Sequence, residues 1–83
     1  MSSRSLESRS PETTALIALA LDRIREGKLE AALSQLEALT AAAPDLPEAW
    51  GAKALVARRL GLDDVAKQAR ERLQALILPP GKA

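Results

Sequence analysis

Gly27 and Gly61 stand 34 residues apart, and the same offset relates Leu16 to Trp50, Ala20 to Ala54, Ala32 to Ala66 and Leu39 to Leu73. This internal period constrains the fold of the 83-residue chain more tightly than anything else in it. A period of this length is one helix–turn–helix unit per copy, in which glycine supplies the turn and small residues let helices cross closely. One unit cannot bury its apolar face alone, so the two copies must stack. The expected architecture is all-α: four antiparallel helices in two stacked helix–turn–helix repeats, residues 11–45 and 46–78, making a short α-solenoid.

Local signals agree with the period. Alanine and leucine fill 32 of 83 positions, whereas Val, Ile, Tyr, Phe and Trp together fill six. Strong helix formers at that density exclude a β-sandwich or barrel. Ser10 and Pro11 suit an N-cap and a first helical position, and Glu12 adds a favourable charge to the first turn. Helices are expected over residues 11–26, 29–43 and 47–60, and from Asp63 or Asp64 to Ile77. The second carries Leu29, Ala32, Leu33, Leu36 and Leu39 on one face. Pro44 and Pro47 force the break before the third, with Asp45 expected as its cap and Glu48 reaching back. Pro79-Pro80-Gly81 forbids continuation of the fourth. The serine-rich, charged residues 1–10 and the short segment 79–83 are expected to be disordered tails.

The same composition removes much chemistry. Without Cys there is no disulfide, thiolate zinc site or cysteine nucleophile, and without His the usual general base and neutral metal ligand are gone. Asp63 and Asp64 are neighbours at a helix start, where adjacent side chains do not face each other as a catalytic pair would. The chain is therefore expected to be no enzyme and to need no cofactor or metal. Twelve Lys and Arg against eleven Asp and Glu give a net +1, and no aromatic residues interleave with the basic ones, so nucleic acid is not an expected partner. Arg outnumbers Lys eight to four, which together with the alanine content points to a bacterial gene. The apolar run Ala15–Leu21 follows Arg4 and Arg9 and has the outline of a signal-peptide core, but Glu7 and Glu12 dilute its basic flank. It is far shorter than the roughly 20 residues that span a bilayer. A structural helix, no membrane insertion and a cytoplasmic location are expected.

The second unit has Trp50, then small Ala54, the turn glycine Gly61 and Ala66, and the stretch Pro44–Trp50 reads as a junction between units. The first unit has Leu16, Leu19, Ala20, Gly27, Ala32, Leu36 and Pro44 in the matching places. From about Thr13 to Pro80 this pattern resembles the tetratricopeptide repeat, whose units run Trp, two residues, Leu-Gly, two residues, Tyr, then Ala, three residues, Phe and finally Pro. The chain departs from it where Arg23 and Ala57 replace Tyr, Lys53 replaces Leu and Arg70 replaces Phe. The resemblance implies a scaffold that binds a protein or peptide on the concave surface made by the first helix of each repeat. Small bacterial proteins of similar build serve as chaperones for secretion subunits or as assembly adaptors.

In that geometry the first helix contributes Thr14, Ile17, Leu21 and Ile24 to the inner face, and the third contributes Glu48, Gly51, Leu55 and Arg58. Arg25, Arg58 and Arg59 make one end basic. The candidate groove is thus Thr14, Ile17, Leu21, Ile24, Arg25, Leu55, Arg58 and Arg59, suited to an apolar helical or extended segment with acidic flanks. The carboxylate clamp of the co-chaperones in this family is missing, because Ile17, Leu21, Glu48, Ala52 and Leu55 cannot donate to a carboxylate. Leu16, Ile17, Leu19 and Leu21 point in different directions around the first helix, which leaves core, ligand groove and self-contact all open for its apolar face. Leu73, Leu76, Ile77 and Leu78 are expected to form a second exposed apolar patch. Because about three repeats are normally needed for a stable stack, a homo-oligomer is also expected, and the alternative function is a structural oligomerisation unit without a separate ligand. Trp50 is expected to be a packing anchor between the second and third helices.

Overall fold

A computed structural model describes residues 11–78. They form α1 (Pro11–Arg25), α2 (Leu29–Ala42), α3 (Pro47–Arg59) and α4 (Asp63–Ile77), with no strand among the described residues. The expected cap Ser10, both tails and the Pro79-Pro80-Gly81 breaker lie outside them. α1 packs on α2, α2 on α3 and α3 on α4, and the first helices of the two repeats, α1 and α3, also touch. The result is two stacked helix hairpins, as the period requires.

Both hairpin turns are built the same way. Gly27 and Gly61 take positive φ of 81° and 79°, and an added Cβ at either would meet nothing within 4 Å. Glycine is therefore demanded by the backbone alone. The Gly27 N–H donates to the Ile24 carbonyl at 3.0 Å and the Lys28 N–H to Arg23 at 2.8 Å. Thirty-four residues on, Gly61 donates to Arg58 at 3.1 Å and Leu62 to Ala57 at 2.8 Å. Each pair is a Schellman closure that satisfies carbonyls left open by the ending helix.

α3 starts differently from expectation. Its N-cap is Leu46, which offers no side-chain acceptor, and Pro47 occupies the first helical position. Asp45 stands one residue before that position. Leu46 is 1% exposed and belongs to the core. Burying a leucine is worth roughly 1.5–3 kcal/mol and a side-chain cap about 1, so the apolar demand decides the register.

One main core joins the repeats: Ala20 and Ile24 of α1, Ala32, Leu36 and Leu39 of α2, Leu46, and Ala49, Ala52 and Val56 of α3. The alanines let the helices approach, while Leu36, Leu46 and Val56 are the largest fully buried side chains. Thr40 is buried among them, and its hydroxyl donates to the Leu36 carbonyl at 2.9 Å, inside its own helix. A smaller core lies within the second repeat, where Trp50 packs on Ala54, Ala69 and Leu73. Trp50 therefore anchors α3 to α4 rather than α2 to α3. Its Nε1 also donates to the Pro44 carbonyl of the preceding connection at 2.8 Å. Leu73 is accordingly half-buried, and only Leu76, Ile77 and Leu78 of the expected terminal patch are exposed.

Candidate partner-binding surface

The eight groove residues divide by burial. Ile24 is 8% exposed and sits in the main core, so it is unavailable to a ligand. The α1 sequence could not separate it from Leu21, three residues earlier, because apolar residues surround that helix. Ile17 is half-buried against the same core. Thr14, Leu21 and Arg25 of α1 are exposed, as are Leu55, Arg58 and Arg59 of α3. Gly51, the third-helix counterpart of Ile17, is half-buried and turned toward Leu73 of α4 instead of open solvent.

What is left is a repeated motif. Leu21 and Arg25 are four apart on α1, and Leu55 and Arg59 stand at the same two places on α3. Residues at i and i+4 share a helix face. α1 and α3 are in contact, and each presents the same pair at equivalent positions: two leucines, 42% and 39% exposed, and two exposed arginines. Arg25 Nη2 lies 3.3 Å from Asp22 Oδ1 in a solvent-exposed pair. Arg58 and Arg59 form no ion pair with a described residue, so both guanidinium groups can donate to an incoming carboxylate.

A second concavity was missed by sequence reasoning. Leu16, Gln35, Ala38, Leu39 and Ala42 line a largely apolar notch of about 190 Å³ between α1 and α2. In the second repeat the counterparts of Leu16, Gln35, Ala38 and Leu39 are Trp50, Ala69, Arg72 and Leu73. There the indole fills the place against Ala69 and Leu73, with the Arg72 guanidinium 5.4 Å and Lys53 Nζ 5.1 Å from the ring centre. Both cations lie within cation–π range of the indole. Leucine is smaller than tryptophan, so the first repeat keeps a gap. The 34-residue pairing of Leu16 with Trp50 was the signal that could have found it.

Arg23 ties α1 to α2, because its Nε donates to Gln35 Oε1 at 2.9 Å. Among the described residues no group of His, Cys, Asp or Glu converges to hold a metal, and no helix is long and apolar enough to cross a membrane. No family model, curated protein or solved structure matches the chain.

Proposed function

We propose that this protein is a non-catalytic interaction module of tetratricopeptide-repeat type that holds an apolar helical or extended segment of a partner protein across α1 and α3. The observation that carries the proposal is the repeated Leu-and-Arg pair, Leu21 with Arg25 and Leu55 with Arg59, exposed on two touching helices. Leucines that a lone domain gains nothing by displaying, with arginines one turn further on, suit an amphipathic ligand with acidic flanks. Ile17, half-buried against the core, stands one turn before Leu21, and exposed Thr14 and Arg58 lie on the same two helices. Steering by the arginines sets association rate and orientation, while the leucines supply the apolar contact. An adaptor or chaperone role in bacteria is the class of activity that such a surface serves.

Selection of a displayed random peptide library on the protein tests this. Enriched peptides should carry apolar residues at helical or alternating spacing with Asp or Glu beside them. Binding should be lost in Leu21→Glu/Leu55→Glu, weakened in Arg59→Glu, and unchanged in Lys67→Glu, with helicity retained in all three. Enrichment of no peptide class, or binding indifferent to the leucine variant, would remove these residues as a ligand surface.

A further inference from the structure

The 34-residue equivalence also says what each end of the stack is. Inside the chain, α3 seats on the first repeat through Leu46, Ala49, Ala52, Val56 and Leu60. Thirty-four residues earlier, on the outward side of α1, stand Glu12, Ala15, Ala18, Asp22 and Glu26, all exposed. The two central alanines are kept, so a close helix crossing is still accommodated there. The three large apolar residues have become three acids.

The other end changes in the opposite sense. The core that receives α3 contains Ile24, Leu33 and Leu36. Their counterparts on the outward side of the second repeat are Arg58, Lys67 and Arg70, all exposed, with Ile77 at the place of Ala43. A solvent-exposed repeat face needs only to be polar to stay soluble, and either sign of charge would serve. Here the signs are segregated, acids at one end and bases at the other. Asp63, at the place of Leu29, is an opposing charge at the basic rim. At the acidic end Asp22 pairs with Arg25 at 3.3 Å and Glu26 with Lys28 at 3.5 Å, both exposed contacts that are easily exchanged.

We propose that copies of this chain associate head to tail, the acidic outward face of α1 in one copy seating on the basic outward face of the second repeat in the next. In the register used inside the chain, Val56 and Leu60 meet the core around Ile24, Leu33 and Leu36. The same register places Asp22 and Glu26 opposite Arg58, Lys67 and Arg70, and brings Ile77, 57% exposed, under the start of the neighbouring α1. Such a junction is heterologous and open, so it propagates instead of closing at two copies. It shares Arg58 with the Leu21 and Leu55 surface, and Asp22 pairs with Arg25 of that surface at 3.3 Å, but Lys67 and Arg70 lie outside it, so the Lys67→Glu/Arg70→Glu variant tests the stack without touching it.

Sedimentation velocity from micromolar to millimolar protein tests the stack at 0.01 M and 1 M salt, where the screening length falls from roughly 30 Å to roughly 3 Å. Mass should climb with concentration at low salt and return to the single chain at high salt. Asp22→Lys/Glu26→Lys destroys the acidic face and Lys67→Glu/Arg70→Glu the basic one. Each variant alone should weaken association by about tenfold or more, with helicity unchanged. An equimolar mixture of the two pairs the two native faces and, because both variants reverse charge, makes the two altered faces complementary as well, so it should restore a mass that climbs with concentration. A wild-type chain that stays monomeric at millimolar concentration and low salt would overturn the proposal. So would a mass that levels at two copies, face variants that associate like wild type, or a mixture that remains monomeric.

Discussion

Gly51→Ala should stabilise this protein, whereas Gly61→Ala should weaken it, and the contrast follows from two different surroundings. Gly51 lies inside α3 with ordinary helical backbone, and a Cβ there would meet only Leu73 Cδ2, at 3.7 Å. That is van der Waals contact, so the methyl fits. Replacing glycine by alanine within a helix gains about 0.8–1.0 kcal/mol from backbone entropy. Burying about half a methyl group against Leu73 adds a few tenths more, from about 0.8 kcal/mol for a fully buried CH₂. The expected gain is about 1 kcal/mol, or a rise in Tm of about 4–8 °C for a domain of this size. At Gly61 the φ of 79° costs an L-residue roughly 1–2 kcal/mol, only partly offset by about 0.4–1 kcal/mol of lost unfolded-state freedom. Urea unfolding followed by circular dichroism, with m-values compared, measures both. A loss of stability in Gly51→Ala at unchanged m would refute the reasoning, because α3 and α4 would then need bare backbone at Leu73.

Other substitutions probe the two cores and the notch. Trp50→Phe removes the Nε1 donor to the Pro44 carbonyl and should cost about 1–2 kcal/mol in urea unfolding, from the hydrogen bond and the lost ring area. Leu16→Trp, made in that background so that its emission is read alone, should fill the notch against Leu39 and Ala42 and show a blue-shifted maximum. An emission typical of a fully solvated indole would show that the notch does not accept the ring. Leu36→Ala opens a cavity at a 0% exposed site shared by both repeats and should cost about 2–5 kcal/mol, seen as a loss of helicity or a steep fall in Tm. Ile24→Glu should abolish helicity, whereas Leu21→Glu should leave it intact, the test of which side of α1 is core.

The sequence by itself determined the helices, their ends and their pairing. Four helices end within one residue of the expected positions because the stop signals are local: Gly27 and Gly61 enter the left-handed region, and Pro44 and Pro47 lack the amide that a helix interior needs. The stacking followed from the period, since equal units must bury equal faces. Tertiary structure alone decided which apolar side chains face inward. Ala, Leu and Ile surround α1, so its periodicity carries no phase, and docking against α2 and α3 chose Ala20 and Ile24 over Leu16, Leu19 and Leu21. It likewise chose Leu46 over Asp45 at the start of α3, because burial outweighs a cap, and turned Trp50 toward α4. Of the groove read from the sequence, Leu21, Leu55 and the arginines emerge on the surface, while Ile24 belongs to the core. The opposite charges of the two outward faces are present in the sequence, but only the burial of Leu46, Ala49, Ala52 and Val56 shows that those faces are equivalent by the 34-residue offset to the two sides of the contact between the repeats.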